Sequence, residues 1–185
     1  MNIETLHDLF TYRLQSAYYL ETELVDVLDE LATAANVDAL DEVADPSIRD
    51  ELLDAFETHR EETRTHVNRI ETVFETIERR PEMKEVPMLD GLVDGTERFN
   101  NLVLNDALRL PYYLDAAATV EELELRLYDR LLGLAEALDL PEEATDALAA
   151  NRSDEQHALE RLEALDDDDE MAAALEELAA QSPET

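Results

Sequence analysis

The chain has 185 residues, 45% of them apolar, and a net charge of −34 from 48 acids against 14 bases. That is enough chain for one domain with a sizeable core, and too much apolar residue for a disordered acidic segment. The charge repels nucleic acid and anionic membranes, so neither is an expected partner, and the absence of cysteine excludes disulfides, thiolate metal ligands and thiol catalysis.

Glycine is scarce, strand signals are weak, and Ala, Leu, Glu and Arg abound, so the elements read as helical. A first helix is predicted over 3–35, on a stripe of Leu6, Phe10, Leu14, Ala17, Glu21, Leu24, Leu28, Leu31 and Ala35 spaced by three and four. The pattern breaks over 36–46, which reads as a loop. Ser47 then reads as an N-cap, with Asp50 and Glu51 in the first turn after it. The second helix runs to Arg79 on Ile48, Leu52, Ala55, His59, Glu62, His66, Ile70, Val73 and Ile77. Over 80–105, Pro81, Pro87, Gly91 and Gly95 punctuate a weaker pattern, expected to be a long connection with short helical turns at most.

The third helix is clearest over 111–138, with Pro111 in its first turn and a stripe of Leu114, Ala117, Glu121, Glu124, Tyr128, Leu131 and Ala135. Pro141 opens the fourth, whose stripe is Ala144, Leu148, Asn151, Glu155, Ala158, Leu162 and Leu165. Residues 166–170 are a solvated acidic break before a short helix over 171–180. Two long hairpins joined by a long connection describe an all-α, ferritin-like four-helix bundle with one crossover, whose metal sites lie in the core between facing helices. The bundle is expected over 1–166, followed by a short C-terminal helix and tail over 167–185.

All four stripes carry acids or histidines. A carboxylate on a core face is costly unless protonated, paired or bound to metal. At 100° per residue, His66 falls about 20° from His59 and Glu62 about 60°, on the apolar side of the second helix. Glu21, Glu121 and Glu155 sit near the centres of their stripes and Glu124 within its own; His157 falls on the opposite face of the fourth helix, at the surface, and Asp154 at its flank. Hard oxygen donors with imidazole suit iron or manganese, and carboxylates can bridge two such ions. The di-metal carboxylate template takes one Glu from each of two helices and Glu-x-x-His from each of the other two. This chain departs from it. The second helix has His59-x-x-Glu62 and Glu62-x-x-x-His66, and Ala158 stands where the fourth helix would supply a histidine. Glu124, one turn past Glu121, is placed to supply a missing ligand. Glutamates crowded in a dry core cannot all ionise without a cation, so the bundle must bind metal, keep protons or hold a wet polar network.

The segment Ala-Phe-Glu-Thr-His-Arg-Glu-Glu-Thr-Arg-Thr-His-Val-Asn-Arg-Ile-Glu-Thr-Val-Phe, residues 55–74, resembles the signature of the YciE/YciF family. So do Tyr-x-x-Glu from Tyr18 to Glu21, Val-Glu-x-x-Glu-x-x-x-Tyr from Val120 to Tyr128, and the acidic pair Asp154-Glu155. The resemblance spans residues 4–165. It implies a ferritin-like bundle with a di-metal site and a stress-related role. Glu21, Glu62, Glu121 and Glu155 match the family's acidic positions, while His59 and His66 match its second helix. Glu122 stands where the family usually has histidine, and His157 has no counterpart.

The expectation is therefore a protein binding one or two iron or manganese ions. Glu62 and Glu155 would bridge; Glu21, Glu121, Glu124 and His59 or His66 would be terminal ligands. The chemistry would be ferrous oxidation by oxygen or peroxide. The alternative is a non-enzymatic stress or protein-interaction module whose buried acids share protons. Lys84 is the sole lysine beside 13 arginines, an acidic, lysine-poor composition that resembles proteins kept in molar salt. The N-terminus lacks the pattern of a signal peptide, and no apolar run approaches a membrane span, so a cytoplasmic location is expected. The Leu102–Leu110 region is the expected place for two copies to pair as a homodimer.

Overall fold

The structure, a computed structural model, describes residues 2–37 and 46–181. Helix α1 spans Leu6–Val37, α2 Pro46–Thr76, α3 Pro87–Leu102, α4 Arg109–Ala137, α5 Glu142–Asp166 and α6 Asp169–Gln181, with a 3₁₀ turn at Asp106–Leu108 before α4. The loop expected over 36–46 falls largely outside the described residues, as do the side chains of Ala35 and Ile48. Ser47 lies inside α2, which begins at Pro46, rather than before the helix.

Local chemistry sets the helix ends. The Thr5 hydroxyl accepts from the Asp8 N–H (3.1 Å) and the Asp8 carboxylate accepts from the Thr5 N–H (3.0 Å). This reciprocal capping box starts α1 at Leu6, the first residue of the apolar stripe and three residues later than the predicted boundary. At the far end of α2, Glu78 takes a left-handed conformation (φ 55°) and Arg79 N–H bonds Phe74 C=O at 2.9 Å. The same closure recurs after α4, with Asp139 at φ 50° and Leu140 N–H bonded to Ala135 C=O at 3.1 Å. Both are Schellman-type stops made without glycine.

α1 packs on α2 and α4, and α5 packs on the same two, giving the ring order α1–α2–α5–α4. His7 and Phe10 at the start of α1 line one end of the bundle with Thr76 at the end of α2 and with Leu140 and Pro141 between α4 and α5. Each hairpin is therefore antiparallel, while α2 and α4 run parallel, as the long crossover requires. The expected fold stands: an all-α, ferritin-like bundle with one crossover and a short C-terminal helix, α6, whose Met171 is buried.

The crossover is more ordered than its glycines and prolines suggested. Pro87 occupies the first turn of the 16-residue α3, where its missing N–H costs nothing. Gly91 has open space around its missing side chain, so neither packing nor backbone forbids a helix there. α3 is fastened across the bundle by Tyr19–Asp90 (2.7 Å), by Phe99 stacked on Tyr112, and by Tyr113–Asn100 (2.8 Å).

Two apolar clusters divide the bundle lengthwise. One gathers Phe10, Leu14, Ile70, Phe74, Leu131 and Leu148; the other gathers Leu28, Leu52, Phe56, Leu114 and Leu162. Each such buried side chain contributes about 1.5–3 kcal/mol. Between them, at mid-height, the stripes turn polar.

Candidate metal centre

Ideal helical spacing carries Glu21, His59, His66, Glu121, Glu124 and Glu155 inward from the four bundle helices, and all six are buried. They form two groups. His59, Glu121, Glu124 and Glu155 each offer an atom within 4.8 Å of the others, and so do Glu21, His66 and Glu155. Glu155 belongs to both. His59 Nε2 lies 3.1 Å from Glu121, 3.9 Å from Glu124 and 3.8 Å from Glu155. His66 Nδ1 lies 2.8 Å from Glu155 and 3.3 Å from Glu21.

Glu62 stands apart. Its side chain is 30% exposed, accepts a hydrogen bond from Arg161 at 2.7 Å, and meets His59 from outside, 3.8 Å from Nδ1. The buried face of α2 is centred between His59 and Thr63, with Phe56 and Phe74 also inside. Glu62 lies roughly 60° from His59 on the side away from Thr63, at the rim of the face. His157 is exposed, as its spacing implied.

Each histidine therefore faces the glutamates with one ring nitrogen and an outer carboxylate with the other. His59 has Glu62, held by Arg161; His66 has Asp154, 3.3 Å from Nε2 and held by Arg69 at 2.6 Å. The arginine comes from α5 in one case and α2 in the other. Tyr128 donates its hydroxyl to Glu21, and Asn151 donates to the Tyr128 oxygen (2.8 Å) and the His66 carbonyl (3.2 Å). Tyr128 and Asn151 belong to apolar stripes, and that position was their signal. Arg69, one turn past His66, carried only a weak one; Arg161 pairs across helices and had none.

Electrostatics follow from burial. Burial pushes Glu121 up to about 8, with His59 opposing and Glu155 adding. Burial, then Glu155 and Glu21, hold Glu124 well above the usual carboxylate range. Burial and Glu21 bring Glu155 to about 7 against the pull of His66. Burial disfavours charge on His66, but Glu155 and Glu21 outweigh it and raise the ring to about 11. Glu62 moves the other way: His59 and, against opposing burial, Arg161 hold it down to about 2. Several inward atoms make no well-aligned hydrogen bond: both ring nitrogens of His59, one oxygen of Glu121 and both oxygens of Glu124 and of Glu155, although His59 Nε2 and Glu155 Oε1 each lie close to an ion-pair partner, Glu121 and His66 respectively. Buried polar atoms left unpaired are costly, and a group of them converging is what a cation would satisfy. The donors are carboxylate oxygen and imidazole nitrogen throughout, which fits iron or manganese.

The architecture is thus that of a ferritin-like four-helix bundle with carboxylates and histidines gathered at mid-core. The family described as Domain of unknown function (DUF892) matches residues 5–181. Protein YciF of Escherichia coli (strain K12) is 31% identical over 143 residues, covering 75% of this chain and 76% of that protein. The chain belongs to the YciE/YciF family. Among solved structures, YcfI from Rhodopseudomonas palustris superposes with a TM-score of 0.76 at 22% identity, over 88% of this chain and 95% of that one. The structure of the E. coli stress protein YciF gives 0.71 at 22% identity, over 97% and 100%.

Proposed function

We propose that the chain binds two iron or manganese ions in the bundle core. His59, Glu121 and Glu124 would hold one, Glu21 and His66 the other, with Glu155 bridging. The observation that carries this reading is the convergence of buried donors on two groups that share Glu155, with unpartnered atoms on His59, Glu121, Glu124 and Glu155. Bound there, iron or manganese would supply one-electron exchange with oxygen or peroxide, in metal handling or oxidative-stress defence; the description of E. coli YciF as a stress protein accords with this.

The chain's own residues would prepare the site. Asp154 is placed to accept the Nε2 proton of His66, turning Nδ1 toward Glu21 and Glu155; Glu62, 3.8 Å from His59 Nδ1 and short of a hydrogen bond, would favour a proton on that nitrogen by its charge. Outer carboxylates of this kind fix a ligating histidine's tautomer and orientation. In this arrangement Glu62 would orient a ligand, and Glu155, common to both groups, would be the one residue to serve both ions. The apolar clusters flank the site above and below.

The test is metal analysis and melting of stripped protein reconstituted with Fe(II) or Mn(II). Two ions per chain and a raised melting temperature are expected. Glu155→Ala should abolish binding at both positions, whereas Glu62→Ala should weaken it about 10–100-fold. No metal above trace, with melting unchanged, would sink the reading.

A second reading has its own support. Glu121 at about 8 and Glu155 at about 7 retain protons near neutrality, so the cluster can persist as a proton-sharing network in a non-enzymatic interaction module. Glu155→Ala would then raise stability with no effect on metal content.

For assembly we propose a homodimer through the turn between α3 and α4. Leu102 and Leu104 are 78% and 99% exposed and Leu108 is also exposed, while Ala107 and Leu110, in the same segment, are buried. Light scattering should give twice the chain mass, and Leu104→Glu should return it to that of one chain.

A further inference from the structure

Beneath α3 lies a cavity of about 90 Å³ that the proposed metal chemistry leaves unused. Its origin is legible in the chain. α4 presents Ala116 and Ala117 where a bundle would place larger side chains, and α3 roofs the gap with Leu89 and Val93. Leu24 and Val120 complete an apolar wall. One end differs: His59 and Glu121 line it, both buried, with both His59 ring nitrogens and Glu121 Oε2 unpaired. At the outer edge stand the exposed side chains of Glu30 and Glu97.

We infer that this cavity binds a small neutral organic molecule, a single-ring or short-chain alcohol or aldehyde, with its one polar atom against His59 and Glu121. Size, polarity and charge each narrow the occupant. About 90 Å³ is several times the roughly 10–15 Å³ that admits one water. The apolar wall favours burial of hydrocarbon; in the metal-free chain the unpaired polar atoms at one end call for a single hydrogen-bonding group, and with a cation held there the same neutral oxygen would be favoured beside it. An anion is opposed by Glu30, Glu97 and the net charge of −34, while the guanidinium in the lining, that of Arg161, is already engaged by Glu62 at 2.7 Å; any ion would also lose its hydration against the leucines and alanines. On the metal reading above, on which this step rests, the ligand would lie beside the ion held by His59 and would be a candidate substrate.

The probe is 4-fluorobenzyl alcohol, followed by ¹⁹F NMR with metal-free and Mn(II)-reconstituted protein, and 4-fluorobenzoate as the charged control of the same shape. Saturable binding to both forms is expected, at least tenfold weaker for the benzoate, with paramagnetic broadening of the bound signal in the manganese form. Val93→Phe and Val120→Phe fill the cavity from opposite walls. Each should weaken alcohol binding at least tenfold while manganese content stays at the wild-type level. No saturable binding by wild-type protein, equal binding of benzoate, or binding undiminished in both filled variants would overturn the proposal. If manganese is not taken up but the alcohol binds and both filled variants lose it, the metal reading fails and the cavity assignment holds. If manganese is taken up normally but the alcohol does not bind, the cavity assignment fails and the metal reading holds.

Discussion

Glu121, Glu155 and His66 all have folded-state pKa values above those of the unfolded chain, about 8, 7 and 11 against roughly 4.3 for Glu and 6.5 for His. Each therefore favours folding while protonated. The contribution is complete below the unfolded value and is lost as pH rises through the folded one. Glu62, held down to about 2, contributes above the unfolded value and is constant over neutral pH. Metal-free protein at fixed high salt should accordingly lose melting temperature steadily from about pH 6 to 9. Metal-loaded protein should show the opposite trend in its metal-dependent increment, because ligands must be deprotonated to bind. A melting temperature for the stripped protein that climbs across this window would contradict the buried arrangement. At this scale the sequence was largely sufficient. Glu21, His59, His66, Glu121, Glu124 and Glu155 were legible because one angle per residue determines which way a helical side chain points. Glu62 was harder, since a residue at the margin of a stripe turns inward or outward with a small rotation of its helix. Phe56 and Thr63 rotate α2 so that Glu62 reaches Arg161.

Among the elements, the four long helices declared themselves through spacing, while α3 did not. A sixteen-residue helix interrupted by Gly91 and Gly95 carries weak periodicity, and its order comes from tertiary contacts such as Tyr19–Asp90 and Phe99–Tyr112, which lie outside the helix itself. Helix termination was similarly opaque. Glu78 and Asp139 hold positive φ angles that ordinarily call for glycine. A left-handed non-glycine residue costs about 1–2 kcal/mol, partly offset by the greater entropy glycine loses on folding. Asp139→Gly should therefore stabilise the protein by about 0.5–1 kcal/mol, read as a higher urea midpoint with an unchanged slope. A lower midpoint would show that Asp139 holds its position through some other interaction.

For the whole molecule, the dominant quantity is charge. With 48 acids and 14 bases on one domain, self-repulsion opposes compaction at low ionic strength. Screening reaches roughly 3 Å in 1 M salt and roughly 30 Å in 0.01 M, so dialysis to about 10 mM salt should abolish the helical circular dichroism of the metal-free chain. An unchanged spectrum would end the comparison with proteins adapted to molar salt. Among the described residues no helix is long and apolar enough to cross a membrane. The shared position of Glu155 has a further consequence at this scale. On the proposed reading it would tie the second hairpin to α2 through one ion and to both α1 and α2 through the other. A chain without cysteine would thereby gain two reversible cross-links between segments remote in sequence. Closing loops of that length restricts the unfolded chain by an amount comparable to a disulfide, about 4–5 kcal/mol for a hundred residues. The ions would then act as staples, and a chelator would play the part that a reducing agent plays for a secreted protein.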